Sequence, residues 1–208
     1  MGYEGSLEGH PMKGKWNSDF FKNDHPIVLE LGCGKGEYTV GLAQRYPHKN
    51  FIGVDIKGNR IWLGAKQALD SNMSNVAFMR TRIDFIEAVF DKNEVSEIWI
   101  TFPDPQPQKT RARKRLTSPP FLNRYKNILA PGGLIHLKTD SFLLYEYTLE
   151  VIKENNYQLL EHTNDLYGKR DITHFGDDLG EVGAIKTFYE KKFSDLGFKI
   201  NYIRFRMD

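Results

Sequence analysis

Short apolar runs alternate with helix-spaced stretches along most of this chain, and no other feature restricts its fold as strongly. Residues 27–31, 51–55, 76–79, 98–102 and 134–137 read as buried strands. Residues 37–46, 57–69, 83–90, 118–129 and 142–154, which follow them in turn, carry apolar side chains at helical spacing. Strands separated by helices of about ten to fifteen residues build a parallel sheet with helices on both faces, and right-handed crossovers leave few ways to order it. Residues 157–160 offer a sixth strand. Residues 198–205 alternate with period two, which predicts a half-exposed last strand, antiparallel and at or near the carboxyl-terminal edge. The expected fold is α/β: a doubly wound, mostly parallel, seven-stranded Rossmann-like sheet whose last strand is antiparallel. Residues 163–183 form a long polar stretch with glycines at 168, 176, 180 and 183, either a lid or a plain connector. Residues 187–196 read as a short helix capped by Gly197.

A chain of 208 residues can bury a full core in one domain. The expected division is a polar arm over residues 1–25, partly disordered, truncated or an expression scar, and a single domain over residues 26–208. No apolar run approaches the roughly 20 residues of a membrane span, and the first residues lack a signal-peptide pattern. The lone cysteine, Cys33, excludes an internal disulfide and suits a cytoplasmic setting. Histidines at 10, 25, 48, 136, 162 and 174 are scattered, so no metal site is expected, and His136 reads as packed or hydrogen-bonded within its strand.

In a sheet of this type ligands bind at the carboxyl ends of the strands. The first strand contains Glu30 and runs into a turn with Gly32, Gly34 and Gly36. The second ends on Asp55, 19 residues after Gly36, where a carboxylate can accept from both hydroxyls of a ribose. A dinucleotide fingerprint requires G-x-G-x-x-G facing a pyrophosphate. Here the spacing is G-x-G-x-G, with Glu37 in the slot of the third glycine. Glu37 would repel a pyrophosphate, and Glu30 is likewise a poor neighbour for phosphate but suits the cationic end of S-adenosylmethionine, which favours that ligand over a nicotinamide dinucleotide. A tight turn with no ligand is the plain alternative. Asp84, after the third strand, either accepts from an adenine amino group or caps the helix that follows.

The fourth strand stops at the prolines of FPDPQPQ, which cannot continue a central sheet, so Asp104 belongs just past its tip. From 105 to 126 there are seven Lys or Arg and no acid, although the net charge of the whole chain is only +2. A lone carboxylate beside a cationic loop suggests chemistry on a polyanion. Arg111, Arg113, Lys114 and Arg115 are the candidates for phosphate contacts, against the plain alternative of a solvated face.

Together, LELGCGKG (29–36), GVD (53–55), FPDP (102–105), KTRARKRLT (109–117), LKTD (137–140) and TFYE (187–190) resemble the bacterial tRNA (guanine-N7)-methyltransferases over about residues 26–205. The resemblance implies a class I methyltransferase fold, S-adenosylmethionine as donor, and a guanine in the variable loop of tRNA as acceptor. It implies cofactor contacts from Glu30, Asp55 and Asp84, with Asp104 between cofactor and base as the catalytic residue. It implies that Asp140, Thr187 and Glu190 hold the guanine. Two positions depart from the family pattern: Gln106 replaces an aromatic, and Gln108 replaces a lysine, so that Lys109 is the first cation. Gln108 and Lys109 are both carried as substrate contacts. A monomer and a homodimer are equally compatible with the sequence.

Guanine N7 presents an in-plane lone pair, so its methylation needs alignment and electrostatics more than a strong base. Asp104 suits the positive charge that develops on the base. Asp140 and Glu190 can accept from N1–H and the exocyclic amine, donors that guanine has and adenine N1 lacks. Tyr167 and Phe175 are candidates for stacking. Two other readings compete. One is an exocyclic-amino nucleic-acid methyltransferase, weakened by the lack of an aromatic after Pro105. The other is a catalytically silent RNA-binding module of the same fold.

Overall fold

Every residue of β1 (Ile27–Leu31) is buried, so both of its faces must be covered, as expected of a strand at the centre of an α/β sheet. The structure is a computed structural model and describes residues 9–168, 185, 190 and 196–207. After β1 come α1 (Glu37–Arg45), β2 (Asn50–Asp55), α2 (Gly58–Asp70), β3 (Val76–Arg80), α3 (Ile86–Val89) and β4 (Val95–Thr101). Then follow α4 (Pro119–Ile128), β5 (Leu129–Thr139), α5 (Phe142–Glu154), β6 (Gln158–Thr163) and β7 (Asn201–Arg206). The strands lie in the order β3-β2-β1-β4-β5-β7-β6. The chain leaves β1 toward β2 on one side and returns to β4 on the other, so the order reverses between β1 and β4.

Strand alternation divides the core in two. Leu29, Ile52, Ile98, Leu137 and Phe205 face one layer, filled by Leu122 and Tyr125 of α4 and Leu144 and Val151 of α5. Val28, Phe51, Phe78, Trp99 and Tyr202 face the other, against Tyr38 and Leu42 of α1 and Ile61 and Ala68 of α2. The second layer is unusually polar for a core. Glu97, Trp99 and His136 form one cluster in it: the indole donates to Glu97 at 2.6 Å, and the His136 ring stacks on Trp99 at 3.9 Å. His136 Nδ1 and the Tyr202 hydroxyl are 2.8 Å apart, so the histidine is packed and bonded within its strand.

Three expectations change. The last strand, β7, is antiparallel and next to the edge, between β5 and β6, but it is largely buried and not half-exposed. Its alternation arises because Tyr202 and Arg204 carry their polar ends into the polar layer while Ile203 and Phe205 enter the apolar one. The helix expected over residues 83–90 is a 3-10 turn (Ile83–Phe85) followed by the single turn of α3. Five of those eight residues are β-branched or aromatic, types that lose rotamer freedom in a helix. The described part of residues 1–25 packs on the body instead of extending as an arm. Trp16 is fully buried in a short π-helical turn (Trp16–Phe21), stacks on Phe90 and donates to the Val89 carbonyl at 3.1 Å. Most of residues 163–183, and most of the helix expected over residues 187–196, lie outside the described residues.

Candidate active site at the carboxyl ends of β1 and β4

A cavity of about 340 Å³ opens where the strand order reverses, within the size range of small-molecule sites. One wall is the glycine turn after β1, with Glu30, Gly32, Cys33, Gly34 and Lys35; the other is Thr101 to Pro105 after β4, with Asp140 beyond β5. Glycines shape the first wall for two distinct reasons. Gly32, Gly34 and Gly36 have φ of +77°, +55° and +74°, values that favour glycine. Gly36, Gly53 and Gly64 also converge on the Phe78 ring, and a Cβ on them would fall 2.5, 2.7 and 2.7 Å from it.

Glu30 sits at the floor of the cavity, almost fully buried. Its Oε2 accepts from the Thr39 amide at 2.8 Å and from the Thr39 hydroxyl, and its Oε1 accepts from the Thr101 hydroxyl at 2.6 Å. Burial raises its pKa to about 7 against the pull of these three donors, with the Asp55 charge a smaller contribution in the same direction. Burial also pushes the Cys33 thiol well up, so it is a small wall residue and not a nucleophile.

Asp55 and Asp84 occupy different settings. Asp55 ties the turn together: Oδ2 accepts from the Gly34 amide at 3.0 Å and Oδ1 from the Lys57 amide at 2.8 Å. Each of its oxygens retains a second lone pair for a further donor. Neither carboxylate is in the cavity wall itself. Asp84 faces Arg82 at 3.3 Å, and it caps neither the 3-10 turn nor α3.

The Asp104 loop is held in a strained form. Phe102 and Gln106 have φ of +47° and +45°, each costing on the order of 1–3 kcal/mol outside glycine. The Phe102 amide donates to the Lys138 carbonyl at 2.8 Å, and the Gln106 amide donates to the Asp104 carboxylate at 2.9 Å. Asp104 is exposed at the mouth; Asp140 is half-buried in the wall, and burial raises its pKa.

The basic run divides. A 3-10 helix (Lys109–Lys114) exposes Lys109, Arg111, Arg113 and Lys114, with Gln108 exposed just before it. Arg115 does not belong with them. It is buried, bonded to loop carbonyls and stacked over Tyr147, because the chain leaves the 3-10 helix there and turns the side chain inward. Its guanidinium is thus withdrawn from any phosphate.

Of the guanine-holding set, Asp140 reaches the cavity and Thr187 lies outside the described residues. Glu190 is fully buried and does not line the cavity; it is paired with Lys138 at 2.8 Å and accepts from the Tyr167 hydroxyl. Tyr167 is therefore a hydrogen-bond donor here; Phe175, the other stacking candidate, is outside the described residues. Sequence reading missed Thr39, Thr101, Lys138 and Arg60, the last a cation in the cavity wall. Thr101 was findable, since period two from Glu97 and Trp99 carries it onto the face of Glu30.

A family model described as "Putative methyltransferase" matches residues 24–201. The chain is 55% identical over 196 residues to the tRNA (guanine-N(7)-)-methyltransferase of Christiangramia forsetii, spanning 94% of this chain and 85% of that protein. It is 53% identical over 197 residues to the protein of the same name from Porphyromonas gingivalis, spanning 95% and 78%. The structure of the 16S rRNA methyltransferase KamB matches with a TM-score of 0.66 over 91% of both chains at 14% identity, a likeness of fold.

Proposed function

The chain belongs to the family of tRNA (guanine-N(7)-)-methyltransferases, and on that premise we propose how its cavity moves a methyl group from S-adenosylmethionine to N7 of a guanine in the variable loop of tRNA. S-Adenosylmethionine supplies a sulfonium-activated methyl group. The residues present fit such a group: a glycine cradle, a buried carboxylate and a cavity of suitable size. Glu30 faces the cationic methionine end, and the turn of Gly32, Gly34 and Gly36 lets the ligand approach the backbone. Asp55 offers its remaining lone pairs to the ribose hydroxyls.

Asp104 and Asp140 line the cavity opposite the glycine turn, which supports entry of the base on their side. Their carboxylates accept from the donor edge of guanine and offset the positive charge that N7 methylation places on the ring. Glu190 and Thr187 complete that grip, and Gln108 and Lys109 lie next to it on the approach. Lys109, Arg111, Arg113 and Lys114 contact phosphates. Residues 26–208 act as one methyltransferase domain, as a monomer or a homodimer, in the cytoplasm where tRNA is the substrate. Among the described residues no helix is long and apolar enough to cross a membrane.

The observation that carries this reading is that the glycine turn and the Asp104 loop wall the same cavity. Its test is methyl transfer from labelled S-adenosylmethionine to bulk tRNA, followed by nucleoside analysis. Label in 7-methylguanosine is expected. Label on an exocyclic amine, or tRNA binding with no label at all, would overturn it in favour of one of the two competing readings.

A further inference from the structure

Lys138 is among the largest side chains with no solvent exposure, and the cavity does not include it. Strand alternation places it between His136 and Asp140 on one face. Its ammonium is 2.8 Å from Oε1 of Glu190, both side chains being fully buried, and 5.0 Å over the Tyr38 ring. The Tyr167 hydroxyl donates to the same oxygen. The backbone of Lys138 works on the other side, because its carbonyl takes the amide of Phe102, the root of the strained Asp104 loop.

Removing an ammonium and a carboxylate from water is costly, and apolar side chains of similar volume pack as well or better. Stability alone therefore gives no reason for this pair. We infer that Lys138 is a positioning residue for methyl transfer, its ammonium holding the Glu190 carboxylate toward the guanine while its backbone carbonyl anchors the loop of Asp104. One residue then sets the separation of acids on two sides of the base. The inference rests on the reading that Glu190 receives the guanine.

The test is steady-state kinetics on tRNA for Glu190→Gln, Lys138→Met, Lys138→Arg and the double variant Lys138→Met/Glu190→Gln. Calorimetric affinity for S-adenosylmethionine and thermal melting serve as controls. Glu190→Gln and Lys138→Met should each lower kcat/KM for tRNA by about 100-fold, mostly through kcat, with donor affinity changed less than about threefold. The double variant should be no slower than Glu190→Gln alone, and Lys138→Arg should recover much of the activity. The double variant buries no unpaired charge, so it keeps the comparison available even where Lys138→Met melts early. Losses that multiply in the double variant, or a Lys138→Met enzyme within about twofold of the parent, would overturn the role of Lys138. An unchanged Glu190→Gln enzyme would remove the guanine contact first, and this inference with it.

Discussion

Arg115 donates to the backbone carbonyl of Gln106 from two guanidinium nitrogens, at 3.1 and 3.3 Å, and reaches the Pro105 carbonyl at 3.2 Å. A buried cation thus closes the loop that presents Asp104, while Tyr147 covers its outer face at 4.3 Å. Arg115→Ala should lower kcat by about 10- to 100-fold, since a misplaced reacting group carries a penalty of that order. Affinity for S-adenosylmethionine should hardly move. Arg115→Lys should rescue poorly, because an ammonium cannot bridge two carbonyls in a fixed fork. Rapid-quench single turnovers on tRNA check both.

Arg111, Arg113 and Lys114 should behave differently, being exposed on one 3-10 helix. Replacing all three with Gln should leave single-turnover chemistry at saturating tRNA near the parent. The slope of log affinity against log salt should shrink by roughly 0.7–0.9 for each phosphate that is no longer neutralised. Filter binding across a salt series measures this. A parent-like slope would mean that the run is only a solvated face.

Glu30 ties the stability of the protein to pH. In the folded state its proton leaves near pH 7 instead of 4.5, so between those values the folded protein holds the extra proton. Stability without donor should therefore fall as pH rises through that interval and then level off, by on the order of 3 kcal/mol in total. Glu30→Gln should flatten this decline in urea melts at pH 5 and pH 8. Affinity for S-adenosylmethionine should run the opposite way, tightening as pH rises through about 7, because the ammonium of the ligand favours the ionised carboxylate.

Gly53 lies in β2, and its φ is ordinary for any residue, so a substitution there tests space alone. A Cβ would fall 2.7 Å from the Phe78 ring and 2.8 Å from the Thr39 hydroxyl that bonds Glu30. Gly53→Ala should cost about 1–3 kcal/mol and weaken donor binding by displacing Thr39. Adding Phe78→Leu should recover part of the stability, because it relieves one of the two clashes. Thermal melts of the three variants decide the point.

The strand–helix alternation was legible because burial on both faces of a parallel sheet leaves continuous apolar runs in the sequence. That Glu30, Asp104 and Asp140 gather at one cavity was legible for a related reason: polar residues at the tips of such runs have few purely structural uses. Arg115 misled because charge runs do not record direction. Only the break after Lys114 decides that four of its cations face water and the fifth turns inward. Lys138 was missed because a lysine inside a strand looks like an alternation toward solvent, and its partner Glu190 is remote in sequence. The place of β7 between β5 and β6 was likewise invisible, since period two reports that the faces differ but not which neighbours cover them.

Phe78 belongs to β3, while the three glycines that close on it come from the turn after β1, from β2 and from α2. The three contacts exist together only once the first three strands have paired. The donor cradle is therefore a late product of folding, assembled only after non-local pairing has met its entropic cost. A chain stalled before β3 docks carries the whole glycine motif yet has no floor beneath it. The methyl donor cannot nucleate such a chain. It can only lock the finished protein by mass action, so donor supply would govern how long an enzyme molecule survives, not how quickly it first folds.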